Sequence, residues 1–145
     1  MLSVFGSNGY IGHNFCKKYS NQIIKVRRNA NTAPSKNILY FISTTHNYNI
    51  FKDPFLDIET NLIKLVKVLE SNKEKNLTVN FISSWFVYGD IKLPANEISI
   101  CNPKGFYSIT KYTAEKLLIS YCNTFNIKYK IIRLSNIYGR YDKGA

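Results

Sequence analysis

Apolar residues run along this chain in five short, nearly unbroken blocks: Leu2–Phe5, Gln22–Val26, Asn37–Ser43, Leu77–Ser83 and Lys128–Leu134. Short blocks rich in Val, Ile, Leu, Phe and Tyr predict strands. Their lack of polar alternation predicts strands covered on both faces, as in a parallel sheet. Between the blocks the period changes. Ile11, Phe15 and Tyr19 recur every fourth residue after the first block. Asp53 before Pro54 predicts an N-cap and a first-turn proline, and Ile58, Leu62, Leu65 and Leu69 then form the apolar stripe of an amphipathic helix. Ala114, Leu118 and Tyr121 mark a further helix from about Gly105 to Asn123. Alternating strand and helix predicts an α/β fold with a doubly wound sheet of about five parallel strands.

One connection breaks this rhythm. Arg27 to Asn37, eleven residues including Pro34, is all that separates the second and third strands. A parallel crossover with its helix needs about a dozen residues or more, so this link is predicted to be an open loop without a helix. Extended, it can reach roughly 36 Å, enough to return along a short strand and step to a new place in the sheet.

The length of 145 residues suits a single domain, and 45% apolar with 20% charged residues supports a packed core and excludes global disorder. No apolar run approaches the roughly 20 residues of a membrane span. Met1-Leu2-Ser3-Val4-Phe5 enters Gly6 without the basic start of a signal peptide. A cytoplasmic location with no membrane partner is the expectation. Cys16, Cys101 and Cys122 are far apart and form no CxxC pair, which argues for buried free thiols and against a disulfide framework or a metal site. The net charge of +11 raises an anionic partner. The charges are scattered, however: Lys64 and Lys67, Lys73 and Lys75, and one adjacent pair, Arg27 and Arg28. A nucleic-acid module would gather them on one face with aromatics, so no nucleic-acid partner is expected.

Gly6-Ser7-Asn8-Gly9-Tyr10-Ile11-Gly12 follows the first strand and opens a helix. In that context glycines permit a tight turn, close approach of the backbone to a pyrophosphate and close helix–strand packing, while free N–H groups at the helix start receive the anion. The spacing predicts a dinucleotide site whose floor comprises Gly6, Asn8, Gly9, Tyr10, Ile11 and Gly12. About 20 residues on, where an NAD-binding unit places an acidic residue, the chain has Arg27-Arg28-Asn29. Arg28 there would accept a 2′-phosphate and favour NADP; the same pair could equally be two solvated surface arginines.

Tyr107 and Lys111 are four apart at the start of the last helix and so share one face. Before them, Phe81-Ile82-Ser83-Ser84-Trp85-Phe86-Val87-Tyr88-Gly89 ends a strand in hydroxyls, as expected at the ligand-binding edge of such a sheet. With the glycine loop and Arg133-Leu134-Ser135-Asn136-Ile137-Tyr138-Gly139, these segments resemble, over nearly the whole chain and in family order, the extended short-chain dehydrogenase/reductase family, in particular its NAD(P)-dependent nucleotide-sugar epimerases and dehydratases. The resemblance implies a Rossmann-like fold, NAD or NADP as cofactor and a nucleotide-sugar as substrate. It makes Ser84 the catalytic hydroxyl and a substrate contact, Tyr107 the acid/base, and Lys111 the residue that binds the cofactor ribose and tunes the tyrosine. Asn136 becomes a substrate contact and Asn61 a cofactor contact. It also implies a homodimer paired through two helices.

The chemistry accounts for these residue types. A free phenol titrates near pH 10, so a tyrosine base at neutral pH needs about 4 kcal/mol of preferential phenolate stabilisation. A lysine one turn away and the positive ring of an oxidised nicotinamide can supply it. Tyr107 would take the proton from a sugar hydroxyl as hydride leaves the same carbon, with Ser84 bonded to the developing oxyanion.

Three departures qualify the resemblance. Dehydratases of the family carry an acidic pair after the catalytic hydroxyl; this chain has Trp85-Phe86, which favours an epimerase or reductase. The short Arg27–Asn37 link leaves no room for the third strand of the fold and its helix. The family's substrate lobe follows the Asn-x-Tyr-Gly segment, whereas this chain ends at Ala145, six residues past Gly139. Residues 1–145 are therefore expected to be a single NAD(P)-binding domain, the amino-terminal portion of a longer enzyme. A non-catalytic dinucleotide-binding module is the alternative.

Overall fold

The computed structural model describes residues 1–139. Its five parallel strands are β1 (Leu2–Phe5), β2 (Ile23–Lys25), β3 (Asn37–Tyr40), β4 (Thr78–Ser84) and β5 (Lys128–Leu134), in one sheet of order β2-β1-β3-β4-β5. Helix α1 (Tyr10–Lys18) follows β1. After β3 come α2 (Phe55–Asp57), a π-helical turn (Ile58–Ile63) and α3 (Lys64–Glu70), and α4 (Phe106–Thr124) leads into β5. This is the expected α/β, Rossmann-like sheet. None of the described helices is long and apolar enough to cross a membrane.

Strands β2 and β3 flank β1 on opposite sides, so the segment between them passes from one side of β1 to the other, and it does so without a helix. Asn72, buried just after α3, fastens this strap. Its amide donates to Asn31 O at 2.7 Å and Val68 O at 2.6 Å, and its Oδ1 accepts from Ala33 N at 2.7 Å. The ammonium groups of Lys64 and Lys75 donate to Ala30 O and Ala33 O at 3.1 and 2.9 Å. Side chains thus satisfy the backbone groups that a third strand and helix would otherwise pair.

The pleat divides the core in two. Phe5, Ile38, Tyr40, Val79 and Phe81 pack with Leu65, Leu69, Ala114 and Leu118, while Val4, Ile23 and Leu39 pack with Cys16 on the face of α1. Coverage of both faces does not extend to β5, where exposed and half-buried residues alternate as in a strand covered on one side. Cys16 and Cys122 are buried, but Cys101 is only partly so.

In the middle helix Asp53 accepts the Phe55 N–H at 3.0 Å, as the capping pattern requires. Leu65 and Leu69 are buried, whereas Ile58 and Leu62 are only half-buried. Asp57 and Asn61, one turn apart, are buried beside them. β3 stops at Tyr40, short of Ser43, because the chain beyond it turns to the helix: Thr44 N donates to Asn61 Oδ1 at 3.0 Å.

Candidate functional site

The glycine loop lies at the carboxyl end of β1. Gly6 has φ +78°, a left-handed conformation, and a Cβ there would meet Ile42 N at 2.9 Å. A Cβ on Gly12 would lie 2.2 Å from Gly6 O, so the third glycine lets α1 sit against the loop. Gly9 differs: its added Cβ would meet only Gly6 O, at 3.4 Å, and otherwise open space. No side chain caps α1 at Gly9, and the N–H groups of Tyr10 and Ile11 have no acceptor within the helix. Unsatisfied donors at a nine-residue helix start favour an anion.

Gly6, Gly9, Tyr10, Ile11 and Gly12 form one wall of a cavity of about 550 Å³, and Ser84, Tyr107, Lys111 and Asn136 line the rest with the ends of β3 and β4. Ser84 closes β4, and its Oγ accepts the Phe86 N–H at 3.3 Å, which leaves the hydroxyl hydrogen free to be donated. Tyr107 and Lys111 stand on the first two turns of α4, both buried. The Phe86 ring meets Tyr107 edge-on, with centroids 6.2 Å apart.

Lys111 is 2% exposed, and its ammonium lies 4.4 Å from the centre of the Phe81 ring. Burial pushes its pKa down to about 7, partly offset by the charge of Glu115 one turn further on. Glu115, 1% exposed, is held in turn by Arg133 of β5: Oε1 accepts from Nε at 3.0 Å and Oε2 from Nη2 at 2.8 Å. That bidentate pair raises the guanidinium above its ordinary range, and Arg133 also lies 4.8 Å from the centre of the Tyr88 ring. Asn136, exposed, accepts the Trp85 indole N–H at 2.9 Å. Among the described residues no carboxylate lines this cavity.

Asn8 and Arg28 fall on a second cavity, of about 650 Å³, which shares Gly6 and Gly9 with the first and has Arg27, Lys64 and Lys67 on its walls. Two hollows that meet at the glycine loop, one basic and one ending at Tyr107 and Lys111, suit a long ligand with a central pyrophosphate. Asn61 borders neither. It is 1% exposed; its Oδ1 accepts from Ser43 Oγ and Thr44 N, and its Nδ2 donates to Thr44 Oγ1 and to Thr110 Oγ1. Thr110 donates on to Tyr107 O at 2.9 Å. Asn61 thus ties the end of β3 to the turn of α4 between Tyr107 and Lys111. Asp57 supports it by accepting from the hydroxyl of Thr44 and from Asn49 Nδ2.

Sequence reasoning did not reach Thr44, Asp57, Thr110 or Glu115. Glu115 carried a usable signal: four residues past Lys111 on a helix, it had to share that face.

Residues 38–145 match the family described as NAD dependent epimerase/dehydratase. The dTDP-glucose 4,6-dehydratase of Mycolicibacterium smegmatis is 32% identical over 113 residues, 75% of this chain and 34% of that protein. A putative UDP-glucose 4-epimerase of Methanocaldococcus jannaschii is 32% identical over 94 residues, 63% of this chain and 31% of that protein. RMD from Pseudomonas aeruginosa, solved in complex with NADPH, superposes with a TM-score of 0.80 at 22% identity, covering 93% of this chain and 52% of that one. The chain therefore spans about a third of the length of the curated relatives it matches. The family match begins at β3 and leaves out the glycine loop, whose geometry supplies the remaining part of the fold. By sequence over most of its length, and with a fold to match, the chain belongs to the NAD dependent epimerase/dehydratase family.

Proposed function

We propose that this chain is the dinucleotide-binding, amino-terminal domain of an NAD(P)-dependent nucleotide-sugar epimerase or reductase. The observation that carries the reading is the shared cavity: the glycine loop, Ser84, Tyr107 and Lys111 line one hollow with no carboxylate on its described wall. The cradle fits the cofactor, since Gly9 borders both hollows and its Cβ would project into open space, while Gly6 and Gly12 let the loop sit against Phe41 and Ile42, just after β3, and against α1.

The joined cavities would hold NAD or NADP, with the N–H groups at the start of α1 facing its phosphates and Arg28 its adenosine end. When bound, it accepts or returns a hydride. Tyr107 exchanges the proton of the sugar hydroxyl. Ser84, whose oxygen already accepts from Phe86, gives its hydrogen to the oxygen on which charge develops. Lys111, poorly hydrated in its pocket, is stabilised by hydroxyl oxygens brought to it, and it places a positive charge one helical turn from Tyr107. Asn136 contacts substrate at the outer wall. Eliminating water needs an acid and a base besides the group that handles the hydroxyl proton, and Trp85 and Phe86 stand where such carboxylates would serve. This supports epimerase or reductase over dehydratase.

The test is to incubate the chain with oxidised or reduced cofactor and a panel of nucleotide-sugars, following nicotinamide absorbance and sugar products. Exchange that Tyr107→Phe abolishes, with cofactor binding retained, is the expected result. Cofactor binding without exchange on any sugar would instead make the chain a dinucleotide-binding module.

A further inference from the structure

We infer that Trp85 is a specificity-determining platform on which the pyranose ring of the substrate stacks, and that Asn136 holds its indole in place. This deepens the nucleotide-sugar reading and rests on it.

Trp85 stands where two hollows meet. Inward it borders the cavity of Tyr107; outward it borders a groove of about 1120 Å³ that runs past Tyr88, Asn96 and Arg133. A ligand lying in the outer groove and reaching Tyr107 crosses the border that Trp85 shares with Ser135. The ring is fixed before any ligand arrives. Its N–H is used by Asn136 Oδ1 at 2.9 Å, and it stacks on Phe86 with centroids 4.7 Å apart and planes 26° from parallel. Phe86 is itself braced edge-on by Tyr107. The aromatic series thus runs without a gap from the proposed acid/base to the mouth of the groove.

Despite these supports, 37% of Trp85 stays exposed. An oriented aromatic surface open to solvent, in a hollow that also carries Ser84 and Tyr107, complements a ligand with an apolar face and polar edges. A pyranose has that form: axial C–H bonds on its face, hydroxyls around its rim. Tyr107 and Ser84 stand at the inner end, where a rim hydroxyl would meet them. Nothing in this arrangement serves the cofactor's phosphates, which belong at the glycine loop.

The chain contains a single tryptophan, so its indole emission reports Trp85 alone. The experiment titrates the cofactor-loaded chain with UDP-glucose and dTDP-glucose, and in parallel with UDP and dTDP, following tryptophan emission and calorimetric heat. The sugar nucleotides are expected to change the emission saturably, and the sugar-free diphosphates to leave it nearly unchanged. Trp85→Ala should weaken sugar-nucleotide binding by about tenfold and Trp85→Phe by less than about threefold, with the cofactor-induced rise in Tm the same in all three proteins. Equal sugar-nucleotide binding by wild type and Trp85→Ala would overturn the platform while leaving the nucleotide-sugar reading intact. Failure of the cofactor-loaded wild type to bind any sugar nucleotide would overturn both.

Discussion

The Lys111 ammonium sits 4.4 Å from the centre of the Phe81 ring, a cation held over an aromatic face with 2% of its residue exposed. Such a position opposes folding. Water is excluded, so the charge is costly in the empty fold and responsive to whatever oxygen atoms a ligand brings.

The first prediction follows from that cost. Lys111 loses its proton near pH 7 in the fold, while the unfolded chain keeps it to about 10.5. Between those values the unfolded state binds more protons, so this group makes stability rise with pH; its penalty is fully present below pH 7 and gone above about 10.5. The penalty is on the order of 5 kcal/mol at full charge. Lys111→Met, which keeps the stem packed, should therefore be more stable than wild type by several kcal/mol at pH 6 in urea unfolding, and the gain should shrink steadily toward pH 10. A gain independent of pH would contradict the assignment.

A second prediction concerns the pair behind the lysine. Glu115 is buried and bonded twice by Arg133. Removing one partner leaves the other charge uncompensated, so Glu115→Leu or Arg133→Leu alone should cost about 3 kcal/mol, and the double substitution less than either. Chemical denaturation of the three variants measures this as a coupling energy; additive losses would show that the pair is not a unit.

Much of the fold was readable because burial on two faces leaves continuous apolar runs, and all five strand blocks begin within a residue of the observed start. The helix-free link was readable from chain length alone. What stayed hidden depended on distant partners. Asp57 and Asn61 are polar residues in a helix, and their default place is the solvated side; only the π turn and the end of β3 make them inward-facing. Asn61 was expected at the cofactor and is found supporting α4, because Ser43, Thr44 and Thr110 use its amide. Ser84, Tyr107 and Lys111 could be named from local spacing. That they line one cavity with the glycine loop required the sheet order β1-β3-β4.

The strap between β2 and β3 gives a third prediction. Asn72 supplies three buried or part-buried hydrogen bonds, two of them to the strap at Asn31 and Ala33. Asn72→Ala should lower the unfolding free energy by about 2 kcal/mol and weaken protection of the Ala33 amide from hydrogen exchange. Unchanged protection would show that the strap does not depend on this side chain.

The glycines of the loop differ in how closely they are packed, which gives the fourth prediction. Gly12→Ala would bring a Cβ to 2.2 Å from Gly6 O and should destabilise the fold markedly, whereas Gly9→Ala, at φ −72° and facing open space, should change stability by less than about 1 kcal/mol. Thermal unfolding of the two variants without ligand checks this order; equal losses would contradict it.

Calorimetric titration of the wild-type chain and of Gly9→Ala with NAD and with NADP tests the proposed dinucleotide site most directly. The structure predicts saturable binding of at least one dinucleotide to the wild type, and affinity at least about tenfold weaker in a Gly9→Ala variant that is otherwise folded as before. No binding of either dinucleotide to the wild type, or equal binding by both proteins, would contradict it.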